Sequence, residues 1–136
     1  MTALTQDRNT LRRDGAQMEP PVAANARIFG GALVAINAAG YAVPGSTATG
    51  LASAGVAMHR ADNTGGAAGA TRVRLSKTPH QLGNSGATDA ITLADVGKDC
   101  FIVDDQTVAK TDGSGTRSRA GRVFDVDADG VWVDFR

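Results

Sequence analysis

The last sixteen residues of the chain carry its strongest structural signal. Gly121-Arg122-Val123-Phe124-Asp125-Val126 is followed by Asp127-Ala128-Asp129-Gly130 and then by Val131-Trp132-Val133-Asp134-Phe135. Both flanks are rich in the β-branched and aromatic residues that strands favour. Asp and Gly between them tolerate the positive φ that a tight turn requires. The stretch therefore predicts a β-hairpin at the end of the chain.

Similar signals recur upstream at intervals of about ten residues, the spacing of small all-β domains. Asp104-Asp105-Gln106 separates two apolar runs, and Asn37-Ala38-Ala39-Gly40 separates two more. Thr71 to Ser76 alternates polar and apolar residues, and Leu51 to Ala61 reads as a strand that bends at Gly55. We therefore expect a mainly β fold, a small β-barrel or β-tulip-like domain.

One short helical turn is predicted within this β pattern. Thr92 can serve as its N-cap, Asp95 occupies the capping-box position, and Gly97 can end it.

The N-terminal residues differ in character from the rest. Residues 1–21 show no clear periodicity and end in Pro20-Pro21, which favours extended backbone. We divide the chain into an extended N-terminal arm, residues 1–21, and a β-rich domain, residues 22–136. The arm residues expected to contact a partner are Arg8, Arg12, Arg13, Glu19, Pro20 and Pro21.

Composition limits what the domain can do. The 136 residues include 24 alanines and 17 glycines, which predicts a thin core that gains stability from a partner or from further copies. Fourteen Lys and Arg balance fourteen Asp and Glu. A zero balance argues against nucleic-acid and membrane-surface binding, which need excess positive charge. With neither a signal peptide nor an apolar span in the sequence, we expect a protein made and used in a reducing cytoplasm, or in a particle assembled there.

One segment imitates a cation site. Asp125, Asp127, Asp129 and Gly130 match the first half of a calcium loop, but the final ligand position is Arg136. A β-turn is the favoured interpretation, with weak calcium binding as the alternative. We expect no metal and no cofactor.

Catalytic signatures are absent from the sequence, and we predict that the protein is not an enzyme. His59, His80 and Cys100 are too few and too scattered to form a zinc motif, and Cys100 begins an apolar run that suggests a buried thiol. A small hydrolase with His59 or His80 in a cleft beside a carboxylate stays open, because such sites are spatial.

Two further groups of residues are candidates for contacts. Arg117, Arg119 and Arg122 form either solvated surface or a docking contact to acidic patches of a partner or of further copies of the chain. The large apolar side chains expected in the core or at a seam between subunits are Phe101, Phe124, Trp132 and Phe135.

Three segments carry a family resemblance. They are Ala32-Leu33-Val34-Ala35-Ile36-Asn37-Ala38-Ala39-Gly40-Tyr41-Ala42-Val43-Pro44, Asp104 to Gly113, and Ala120 to Val133. They resemble the tailed-bacteriophage capsid decoration, or head cement, proteins, which are typically encoded beside the major capsid protein. The similarity runs from about residue 20 to the end and contains no catalytic motif.

The resemblance implies a structural role in the virion. Such proteins bind the outer capsid surface and stabilise the shell, commonly as homotrimers at three-fold or quasi-three-fold positions, after assembly in the bacterial host cytoplasm. The implied partners are the major capsid protein and further copies of the chain, with no nucleic acid and no membrane. The arm would add as a strand to a capsid sheet edge. The alternative is a tail-associated carbohydrate-binding or adhesin-type β-module, which needs exposed aromatic rings.

Overall fold

The computed structural model describes residues 2–136, and its regular structure consists almost entirely of short strands. A five-stranded sheet contains β1, β3, β4, β5 and β7: Gln17–Met18, Leu33–Ile36, Ala42–Pro44, Ala52–Ala57 and Leu75–Ser76. A closed barrel contains β8 to β12: His80–Asn84, Asp99–Ile102, Thr107–Ala109, Arg119–Asp127 and Gly130–Asp134. A separate pair joins β2, Arg27–Ile28, to β6, Ala61–Asp62.

The barrel confirms the predicted fold class. Its order is β10-β8-β12-β11-β9, closing on β10. The pair β8–β10 is parallel, and the other neighbours are antiparallel. The predicted C-terminal hairpin forms its longest ladder, with Val126 opposite Val131 and Asp127 opposite Gly130.

Local turn chemistry explains the other predicted hairpin ends. The Asn37 side-chain oxygen accepts hydrogen bonds from the backbone N–H groups of Ala39 and Tyr41, both at 3.0 Å, and so organises the β3–β4 turn. The Asp104 carboxylate accepts from Gln106 N–H in the β9–β10 turn. The predicted helical turn is a 3₁₀ turn, Leu93–Asp95, where Asp95 accepts the Thr92 backbone N–H at 2.8 Å. A second 3₁₀ turn, Ala87–Asp89, lies where a loop was expected.

Strand β3 is buried on both faces of the five-stranded sheet, because its alternate residues pack into two cores. Leu33 and Ala35 pack with the interior of the barrel. Val34 packs in a second cluster with Val22 and Leu75. The sheet therefore links a barrel core to a smaller core beneath it.

The structure differs from several strand predictions. His80 begins strand β8 instead of lying in a loop, whereas His59 lies just after β5 instead of within it. Only Leu75–Ser76 of the alternating run from Thr71 forms a strand, with an isolated bridge at Arg72. Strand β8 holds one fully apolar side chain, Leu82, which explains why periodicity did not identify it.

Candidate functional site

Residues 2–15 form an exposed N-terminal segment, which we call the arm. Its two leucines are largely exposed, Leu4 at 71% and Leu11 at 88%. The arm's hydrogen bonds are local, from Thr10 N–H to the Arg8 carbonyl and from Ala16 N–H to the Asp14 carboxylate. Its backbone and its apolar side chains are therefore available to another molecule.

Residues 16–23, which we call the root, hold the arm to the body. Gln17 and Met18 pair antiparallel with Ser76 and Leu75. The Lys77 N–H donates to the Ala16 carbonyl at 2.8 Å. This pairing makes the root the edge strand of the five-stranded sheet.

Beyond Met18 the root crosses to the opposite edge of that sheet. Pro20 is buried, and its carbonyl accepts a hydrogen bond from Val73 N–H at 3.1 Å. The Pro21 carbonyl accepts from Ala42 N–H at 2.8 Å, and Val22 is fully buried. The structure thus places residues 16–21, which the sequence pattern assigned to the arm, on the body.

The three C-terminal arginines do not form one surface. The Arg117 guanidinium lies 2.9 Å from the Asp89 carboxylate and also donates to the Thr111 carbonyl, and its side chain is only 18% exposed. Arg119 pairs with Asp99 at 2.7 Å on the surface. Arg122 is exposed on β11. Arg117 therefore has a structural role, joining the 111–118 loop to the Ala87–Asp89 turn.

The four candidate core aromatics also separate. Phe135 is buried in the barrel core, and Phe101 and Trp132 are half-buried. Phe124 is 58% exposed, which excludes the core and leaves a seam between subunits as its predicted place; its neighbour Val123 points inward, and adjacent strand residues face opposite sides. Phe124 is available to a seam or another ligand.

The histidine rings are held by backbone groups. His59 Nδ1 lies 2.9 Å from the Arg60 carbonyl, and its Nε2 accepts the Arg74 backbone N–H at 3.0 Å. His80 Nδ1 lies 2.6 Å from the Thr78 carbonyl. The two contacts of His59 tie its ring to the backbone of Arg60 and Arg74 and secure the chain at residues 58–60.

Cys100 lies fully buried in the barrel core, as its apolar surroundings predicted. Burial raises the pKa of its thiol to about 12, so the reactive thiolate is scarce at neutral pH.

The calcium-like segment is a hydrogen-bonded turn. The Asp127 carboxylate accepts from Trp132 Nε1 at 2.9 Å and from the backbone N–H groups of Asp129 and Gly130. These hydrogen bonds, that of Trp132 first, lower the pKa of Asp127. Within residues 2–136, no three His, Cys, Asp or Glu side chains are grouped as a metal site would require.

One exposed aromatic group was not singled out by the sequence. Phe29 is 49% exposed, and the guanidinium groups of Arg27 and Arg60 lie 5.2 and 5.5 Å from its ring centroid. Both distances fall within the range of cation–π contacts. The spacing of these residues in sequence carries no signal, because the β2–β6 pairing brings them together.

An open cleft of about 310 Å³ lies beside this group, lined by Phe29 to Ala32 and by Asp105 and Gln106.

No helix in the described part of the chain is long and apolar enough to cross a membrane. The chain matches no protein-family model, no curated protein and no solved structure.

Proposed function

We propose that this chain is a structural head protein of a tailed bacteriophage, which binds the outer surface of the capsid and stabilises the shell. The observation that carries the proposal is the exposed arm of residues 2–15, joined to the body through a hydrogen-bonded root. The β-barrel body and the segments that resemble head cement proteins support the same function.

The arm makes the capsid contact. Fourteen extended residues reach up to about 45 Å from the root, at about 3.3 Å each, which is far enough to cross onto a neighbouring capsid subunit. An extended segment adds to an exposed sheet edge through main-chain hydrogen bonds, and Leu4 and Leu11 enter pockets beside that edge. Arg8, Arg12 and Arg13 pair with capsid carboxylates.

The root transmits load between capsid and body. A pull on the arm acts along the backbone at Gln17 and Met18, where the chain is paired with β7, and then at buried Pro20. Many copies, each bridging capsid subunits through weak contacts, together resist opening of the shell. A trimer at three-fold positions carries three arms, so each assembly binds the shell through more contacts than a single copy does.

Two truncations test the proposal. Removal of residues 2–14 keeps the root's pairing with β7 and, of the hydrogen bonds that the root makes, loses only the exposed one from Ala16 to Asp14. We therefore expect a nearly unchanged melting temperature and loss of binding to expanded phage heads that lack the protein, measured by co-sedimentation. Removal of residues 2–21 also takes away the β1 pairing and Pro20. We expect that second deletion to cost at least about 2 kcal/mol of unfolding free energy, since several backbone hydrogen bonds and a buried side chain are lost.

A third variant replaces Leu4 and Leu11 by Ser within a full-length arm. We expect it to weaken head binding while leaving the fold unchanged. Undiminished binding after removal of residues 2–14 would refute the arm contact. Glycan binding that survives the truncation and disappears in Trp132→Ala would favour the adhesin-type module instead.

A further inference from the structure

The N-terminal and C-terminal parts of the sequence carry opposite net charge. Residues 1–78 contain eight Lys and Arg against four Asp and Glu, whereas residues 79–136 contain six against ten. The zero net charge of the chain therefore conceals a basic N-terminal half and an acidic C-terminal half. Such a distribution favours contact between unlike surfaces of two molecules.

The N-terminal half of the chain presents an arginine–phenylalanine surface, defined by Arg27, Phe29 and Arg60. All three residues are exposed, and Met58, two residues before Arg60, adds a 46% exposed apolar side chain. Arg60 lies 3.8 Å from Asp62, the acid within this surface, and Asp105 lies across the adjoining cleft. Within the surface its two arginines outnumber the one acid, Asp62, so the surface combines positive charge with an apolar centre.

The C-terminal half of the chain presents an aspartate tip, defined by Asp125, Asp127 and Asp129 at the end of the last hairpin. All three residues are exposed. The ion pairs of the barrel use other carboxylates, those of Asp89, Asp95, Asp99 and Asp134. The tip therefore retains uncompensated negative charge on a rigid turn held by Asp127.

We propose that the aspartate tip of one copy binds the arginine–phenylalanine surface of a second copy. Arginine guanidinium groups suit planar pairing with carboxylates, and docking removes Phe29 and Met58 from water. Because the two surfaces differ, the contact is head-to-tail and generates a closed ring when its rotation closes. The contact concerns copies of this chain and holds whether or not they bind a capsid.

Charge reversal in solution tests this contact. One variant carries Arg27→Glu and Arg60→Glu; the other carries Asp125→Lys and Asp129→Lys and keeps Asp127 for the turn. We expect the full-length chain to self-associate in 50 mM salt by sedimentation velocity and to dissociate as salt rises, since exposed ion pairs are screened. Each variant alone is expected to stay monomeric, and an equal mixture of the two to associate again.

The matched controls reverse charges outside the two surfaces, Arg8→Glu and Asp112→Lys, and we expect them to associate as the unaltered chain does. Circular dichroism of every variant separates loss of contact from loss of fold. A monomeric unaltered chain at low salt, or a mixture that stays monomeric, overturns the proposal. Equal loss of association in the controls also overturns it, because it would show a diffuse charge effect.

Discussion

The two cores of the molecule are built from different residues. Half of the buried cluster beneath the five-stranded sheet is alanine: Ala32, Ala42, Ala54, Ala57 and Ala61. The barrel core holds two alanines among mainly branched aliphatic residues, including Ile91, Ile102 and Val133, together with one aromatic residue, Phe135. Both cores exclude water, but the apolar volume that each one buries is very different.

This difference shows where the small residues act. The thin core expected from composition describes the sheet half, where alanines let strands and loops approach closely. The barrel has an interior packed with larger side chains, although the chain as a whole is rich in alanine and glycine. Strand β3 of the sheet and strand β9 of the barrel meet at Gly45, where an added Cβ would lie 2.8 Å from Leu33 Cδ2 and 3.1 Å from Ile102 Cγ2. A side chain at Gly45 would therefore require the Leu33 side chain to shift where strand β3 packs into the barrel core.

The largest expected effect comes from the same truncation made in each core. Ile102→Ala in the barrel is expected to cost about 4 kcal/mol and Ile28→Ala in the sheet about 2 kcal/mol, within the range measured for large-to-small core changes. Both isoleucines are fully buried, but Ile28 has small neighbours and forfeits fewer contacts. Urea unfolding measures both values. Equal costs, or a larger cost at Ile28, would contradict the division into a thin and a packed core.

Acid is expected to weaken the barrel before the sheet. Hydrogen bonds from Thr111 and Arg117 lower the pKa of Asp89, and the Thr92 backbone N–H lowers that of Asp95. A carboxylate with a lowered folded-state pKa stabilises the fold above its unfolded value of about 4, and this stabilisation is lost as pH falls through the folded pKa.

We therefore expect stability to stay level from pH 7 to 5 and to fall below about pH 4. Amide hydrogen exchange near pH 4 and below should show barrel strands losing protection ahead of β3 and β5. In Asp95→Asn the fall should be shallower, whereas Asp112→Asn, which alters an exposed carboxylate, should reproduce the original profile. Simultaneous loss of protection in both halves would show that they unfold as one unit.

The smallest expected effect separates two neighbouring arginines. Arg119→Ala should change the unfolding free energy by no more than about 0.5 kcal/mol, because its pair with Asp99 is half exposed and screened by solvent. Arg117→Ala should destabilise the barrel more, because Arg117 is mostly buried and joins two loops. Thermal unfolding of the two variants in 50 mM and 500 mM salt measures the difference. A cost at Arg119 equal to that at Arg117 would mean that the exposed pair is as structural as the shielded one.

Features that depend on neighbours in sequence were predictable. Asn37 organises its own turn, Asp127 holds the last hairpin, and Asp95 caps the helical turn, each through hydrogen bonds that span at most five residues. The candidate site was only partly predictable. The exposed arm follows from its lack of periodicity, but the root pairs with residues more than fifty positions away.

The sequence by itself determined the β class, the hairpin turns and the burial of Cys100, because turn chemistry and apolar runs act locally. Tertiary structure alone decided the parallel β8–β10 pair that closes the barrel, the burial of Pro20 and the outward side of Phe124. It also brought Arg27 and Arg60 to Phe29. These features depend on which distant strands pair and in which register. A shift of one residue in register moves every side chain of a strand to the opposite face of its sheet.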